Sequence, residues 1–105
     1  MSAEKSKKIH DDVTVLSEKK GNGTLRREIW VDGYGKVIRY NLAHINITEF
    51  AGDNGRIVGY DNAHNYHLRH FYGKVQAVNF ISFKQTEESF EKDFMEIMKE
   101  LRSKK

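Results

Sequence analysis

The sequence predicts an α+β fold: an antiparallel β-sheet with a C-terminal α-helix packed on one face. Three observations carry this expectation. β-like runs are separated by the glycine turns Gly21-Asn22-Gly23, Asp32-Gly33-Tyr34-Gly35 and Ala51-Gly52-Asp53-Asn54-Gly55. From Lys36 to Asn46 the side chains alternate, with Ile38, Tyr40, Leu42 and His44 on one face and Val37, Arg39, Asn41 and Ala43 on the other, as in a sheet with one buried face. Phe90, Phe94, Ile97, Met98 and Leu101 then recur at i, i+4, i+7, i+8 and i+11, a single stripe on a helix. A sheet of about four to six strands accommodates these runs.

Composition narrows the class. The 105 residues suit a single domain, 1–105, with residues 1–8 as a polar, flexible tail. The absence of cysteine excludes disulfides, thiolate metal sites and cysteine nucleophiles. No apolar run approaches the ~20 residues of a membrane span and no signal peptide is visible, so a cytoplasmic protein without a membrane partner is expected. Formal charge is +3, concentrated in residues 1–85, where 13 Lys/Arg face 9 Asp/Glu; residues 86–105 carry 5 against 6. The balance is too mild to argue nucleic acid by itself.

Taken in order, Ile9 to Leu16 fits either an edge strand or a helical turn, and Ser17 to Thr24 reads as a turn. Leu25 to Asp32 is a strand, and Asp32 to Gly35 links it by a hairpin to the strand of Lys36 to Asn46. Arg56 to Tyr60 is a short strand, and Tyr66 to Tyr72 has the aromatic content of another. Lys74 to Phe83 is apolar on both faces and reads as a central strand. The helix follows, with Thr86 as N-cap and Glu87 and Glu88 in its first turn. Without proline, one common device for blunting sheet edges is missing, so edge protection must come from elsewhere.

The densest chemistry lies between Gly59 and Gly73, G-Y-D-N-A-H-N-Y-H-L-R-H-F-Y-G, with three of the five histidines, three of the five tyrosines and Arg69. A single histidine is more often packed or solvated than catalytic, and a His/Tyr strand face can serve cross-strand pairing alone. Three imidazoles and a guanidinium within seven residues exceed what packing requires. In metal-free cleavage of RNA, a base takes the 2′-hydroxyl proton, an acid protonates the leaving oxygen, and a cation steadies the phosphate. Histidine suits both proton transfers, and arginine grips phosphate with two parallel hydrogen bonds. Strand alternation places His67, Arg69 and Phe71 on one face and Leu68, His70 and Tyr72 on the other, so His67 and Arg69 are natural partners. His70 joins them only if the strand twists, bulges or meets another element.

The candidate catalytic residues are therefore His67, His70, Arg69 and His64. Tyr60, Asp61, Asn62, Tyr66, Tyr72 and Lys74 are candidates for substrate binding. Asp61, His64, His67 and His70 have a D-x2-H-x2-H-x2-H spacing of ligand types that zinc accepts, but a strand separates His67 from His70, and a site without metal or cofactor is favoured. The alternative is a non-catalytic RNA- or protein-binding α+β module; in the RNA case the tyrosines stack bases and Arg69 holds phosphate, using the same residues. No serine elbow and no phosphate loop is present.

At Tyr60, Asp61-Asn62-Ala63, His64, His67-Leu68-Arg69-His70 and Gly73 the chain resembles the TumE-type toxins of bacterial and archaeal toxin–antitoxin modules. The similarity extends through the following strand into the helix. It implies a toxin paired with a helix-turn-helix antitoxin protein. Ribonuclease activity, with RNA as substrate, is inferred from the residue chemistry and from other small toxins; a homodimer is left open. Leu68 stands where relatives often carry another histidine, which leaves His67, Arg69 and His70 as the stronger candidates.

Overall fold

A computed structural model describes residues 6–17, 23–63 and 65–103. Strands β1 (Lys7–Val15), β2 (Thr24–Val31), β3 (Val37–Ile45), β4 (Arg56–Asp61), β5 (Leu68–Phe71) and β6 (Lys74–Ala77) precede one helix, α1 (Phe83–Ser103). Each strand pairs antiparallel with its neighbour in sequence, so the sheet order is β1-β2-β3-β4-β5-β6. The helix lies across β3 and β4 and leaves the other face of the sheet open. The α+β expectation holds, with six strands.

The turn chemistry is that of the sequence. Asp32 Oδ1 accepts from the backbone N–H groups of Tyr34 and Lys36 at 2.8 and 3.1 Å, closing the β2–β3 hairpin. Tyr72 and Gly73, at φ +49° and +83°, form the two-residue turn between β5 and β6, in the left-handed geometry that matches strand twist. Ile9 to Val15 resolves as strand, with Leu16 just beyond it. The expected turn at Ser17 to Thr24 and the tail lie largely outside the described residues, though Lys7 and Lys8 already belong to β1. That edge is guarded by charge (Lys7, Lys8, Asp11, Asp12) and by an extra residue, Ile9, between the pairs Lys8↔Trp30 and His10↔Ile29.

Two expectations are corrected at the C-terminal end. Lys74 to Phe83 is not a central strand. β6 stops at Ala77, all four of its residues are exposed, and it is the sheet edge. The apolar residues beyond it leave the sheet: Phe80 stacks on His67 at 4.0 Å between ring centroids, and Phe83 packs on the core. Nor is Thr86 the N-cap. Ser82 Oγ accepts from the Gln85 N–H at 3.1 Å, while Thr86 lies inside the helix and donates its hydroxyl to the Ser82 carbonyl. Glu87 and Glu88 accordingly fall beyond the first turn. Ser82-x-x-Gln85 is a capping-box sequence, a signal hidden by the apolar run around it.

The core joins Tyr40, Leu42, Ile57, Val58 and Tyr60 of the sheet to Ile97 and Leu101 of the helix. Phe90 packs against this cluster at its margin, and Phe94 is half-buried beside a groove of about 790 Å³ between α1 and β1–β2. Ile97→Ala is expected to cost about 2–5 kcal/mol, and Phe94→Ala less because its site is part open. Chemical denaturation of the two variants checks this ranking.

His44 is fully buried beneath the helix, edge-on to Phe94 at 4.9 Å, and neither ring nitrogen has a partner among the described residues. Burial pushes its pKa down to about 4, so the fold holds it neutral. The unfolded chain takes up a proton below pH ~6.5 that the folded chain refuses, so stability present above that pH falls as the pH drops towards 4. A loss of ~3 kcal/mol is expected over this window. His44→Leu should remove that slope while leaving the protein at least as stable at neutral pH. Urea unfolding at a series of pH values is the check, and an unchanged slope in the variant would contradict it.

Candidate functional site

The Gly59–Gly73 run enters the fold as β4, a loop, β5 and the following turn, so its residues divide between the two faces of the sheet. On the register Val58↔Phe71, Gly59↔His70, Tyr60↔Arg69 and Asp61↔Leu68, Arg69 stands with Tyr60 on the helix face. His70 stands with Gly59 and Asp61 on the open face. His67 shares the side of Arg69, and its carbonyl accepts from Val78 N at 2.9 Å, extending the pairing by one residue. His67 and His70 therefore occupy opposite faces and do not form a two-histidine pair.

On the open face His70 is held from both sides. Its Nε2 lies 2.7 Å from Asp61 Oδ2, and its Nδ1 lies 3.0 Å from Arg56 Nη2. The carboxylate at one nitrogen and the guanidinium at the other match a ring that donates from Nε2 and accepts at Nδ1. Arg56 also grips Asp53 through Nε and Nη2 at 2.9 and 3.2 Å and reaches Asp61 at 3.4 Å. A bulge makes this possible. Ile57 is an extra residue between the pairs His44↔Val58 and Ile45↔Arg56, so Ile57 and Val58 both enter the core and Arg56 is turned to the open face. Arg56 then lies across Gly59, where a Cβ would sit 2.7 Å from its Cδ and 2.9 Å from the Leu42 carbonyl. With His70 and Asp61 both buried and both imidazole nitrogens engaged, this network is a fastening of β4 to β5.

The helix face is different. His67 is half-buried and stacked on Phe80, and its Nδ1 lies 2.8 Å from the Tyr40 hydroxyl. No described residue hydrogen-bonds its Nε2. Burial raises the Tyr40 pKa to about 12, so this phenol keeps its proton and can only orient the ring. Two residues along the same face, roughly 7 Å away at strand spacing, Arg69 is fixed through Nε to Asp93 Oδ2 at 2.9 Å and lies over the Phe71 ring. Asp93 also accepts from the Tyr60 hydroxyl at 2.7 Å, so α1 clamps both residues. The contact with Asp93 raises the already high Arg69 pKa, and the Tyr60 hydroxyl is a further hydrogen-bond partner of the guanidinium. Lys74 and Gln76, opposite Phe71 and Arg69, add exposed polar groups on this side of the edge.

The remaining candidates are mostly structural in placement. Asn62 ties the loop to β3, accepting from Tyr40 N and donating to the Ile38 carbonyl, both at 2.9 Å. Asp61 Oδ1 accepts from Ala63 N, an Asx turn. Tyr60 is buried, Tyr72 packs edge-on against Phe50 and Phe71, and Tyr66 is exposed. His64 lies outside the described residues. Among the described residues no group of three or more His, Asp or Glu is arranged to hold a metal ion, and no helix is long and apolar enough to cross a membrane. Sequence reasoning missed Tyr40, Phe80, Asp93 and Arg56. Each meets its partner through the tertiary fold or the bulge, and none carries a local signal. In comparisons with known proteins, no family model matches the chain, and no curated protein or solved structure matches it either.

Proposed function

We propose that this chain is the toxin component of a toxin–antitoxin module and acts on RNA through the helix-face pair His67 and Arg69. The observation that carries the reading is an imidazole oriented at Nδ1 by Tyr40, with Nε2 unengaged among the described residues, two residues from an arginine that Asp93 holds through Nε on the same face. With Nδ1–H donating to the Tyr40 oxygen, Nε2 offers its lone pair to a ribose 2′-hydroxyl. Arg69 holds the scissile phosphate, and Lys74 extends the cationic edge. The leaving oxygen takes its proton from solvent, since His70 faces the other way. Because a single histidine is poised here, non-catalytic RNA binding by the same surface is the second reading.

One experiment separates the two. The protein is expressed in a host lacking an antitoxin, growth and bulk RNA are followed, and purified protein is incubated with RNA in the presence of a chelator. Growth arrest with RNA cleavage that survives chelation supports the first reading. Arrest with intact RNA and salt-sensitive binding supports the second. Unaltered growth would sink the toxin assignment.

A further inference from the structure

The open face carries a cleft of about 420 Å³ that the His67–Arg69 pair does not use. It crosses the sheet from Trp30 on β2, over Arg39 and Asn41 on β3, to Asp61 on β4 and Leu68 on β5. Two of its groups are incomplete. Asn41 Nδ2 donates to Glu28 Oε1 at 2.9 Å, which fixes the amide and leaves Oδ1 buried without a donor among the described residues. Glu28 cannot turn to supply one: beside Arg26, its pKa is lowered to about 2 and it is an acceptor only. A buried acceptor without a donor is a cost that an entering N–H or O–H relieves once the cleft floor opens to it.

Arg39 is the second. Its guanidinium lies 4.7 Å from the centroid of the Trp30 ring, and among the described residues no carboxylate forms an ion pair with it. Arg26, Arg27, Arg56 and Arg69, the other arginines of the strands, each have a carboxylate partner. This exposed guanidinium lies over an indole that Lys8 Nζ also approaches at 4.8 Å, so the rim of the acceptor-floored cleft offers a planar cation and an anion anchor beside an aromatic ring. The volume falls within the range of small-ligand sites.

We propose that this cleft is a nucleotide subsite, taking a nucleoside monophosphate unit whose base enters against Trp30 and Leu68 and gives an N–H to Asn41 Oδ1, while its phosphate takes the fork of Arg39. The assignment stands apart from the proposed chemistry at His67, which is on the opposite face. The unit is supplied either by single-stranded RNA or by a free mononucleotide.

Trp30 is the one tryptophan of the chain, so its fluorescence reports on the cleft directly. The intact protein is titrated at low salt with AMP, adenosine, ribose 5-phosphate and a short oligoadenylate. A saturable change with AMP is expected, weakened roughly tenfold or more for adenosine and for ribose 5-phosphate. Tighter binding of the oligomer than of AMP assigns the polymer as source, and equal binding assigns the free nucleotide. Arg39→Gln, an exposed substitution, should weaken AMP but not adenosine, and Asn41→Leu should weaken both. Absence of saturation at millimolar AMP, or ribose 5-phosphate binding as tightly as AMP, overturns the proposal. An Arg39→Gln protein that binds AMP unchanged does the same.

Discussion

His67→Ala is expected to lower RNA turnover by about 10²–10⁴-fold and to release growth inhibition, with the folded state intact. The side chain is half-buried at the end of β5, and its truncation removes one ring from the stack with Phe80, a modest loss to the core. Tyr40→Phe keeps that packing but deletes the hydroxyl at Nδ1, so a smaller fall is expected, in turnover before binding. Arg69→Ala should weaken RNA binding and turnover together, and Arg69→Lys should not restore them, because a point charge cannot reproduce the planar fork of a guanidinium. His70→Ala is the informative contrast. The network on the open face predicts a protein that unfolds more easily but turns over normally while folded. Single-turnover cleavage by the purified variants, below their unfolding temperatures, reads all four. Full activity in His67→Ala, or loss confined to His70→Ala, would move the chemistry to the other face.

Asp61→Ala is expected to cost ~3 kcal/mol, because it removes a buried carboxylate that accepts several hydrogen bonds at once. Asp61 is 7% exposed and serves three groups: His70 Nε2, the Arg56 guanidinium and the Ala63 backbone N–H. Its removal leaves a buried imidazole N–H without an acceptor, while Arg56 keeps Asp53, which limits the damage. The urea midpoint should fall with an unchanged denaturant slope. A loss below ~1 kcal/mol would show that the network is solvent-compensated and place it among ordinary surface ion pairs.

What the sequence made legible was whatever rests on local periodicity. The alternation from Lys36 to Asn46 put Tyr40, Leu42 and His44 on the buried face, where they are, while Ile38 became the extra residue between Trp30↔Arg39 and Val31↔Val37 and stays exposed. The stripe from Phe90 to Leu101 gave the helix and its packing face. Alternation also separated His67 and Arg69 from His70, and the register bears that out. The misreadings share one cause. Val75, Val78, Phe80, Ile81 and Phe83 are apolar for different reasons, as an exposed edge, a ring stacked on His67 and the first turn of a helix. Periodicity cannot tell these apart from one buried strand. The partners Asp93, 24 residues from Arg69, and Tyr40, 27 from His67, depend on tertiary contacts and leave no trace in a single sequence.

The strand order follows the chain without a crossover, and this bears on how the protein comes to fold. Each hairpin closes a short loop, so the entropic barrier to pairing is low at every step and the sheet can zip from any of its turns. The helix comes after all six strands, and until it docks the ring of Tyr40 and the face of Leu42, Ile57 and Val58 have no cover. The clamp from Asp93 to Arg69 and Tyr60, and the seat of Phe80 on His67, are likewise completed only at that stage. The surface that carries His67 and Arg69 is therefore completed by the docking of a single element, and any change that loosens the helix loosens both residues together.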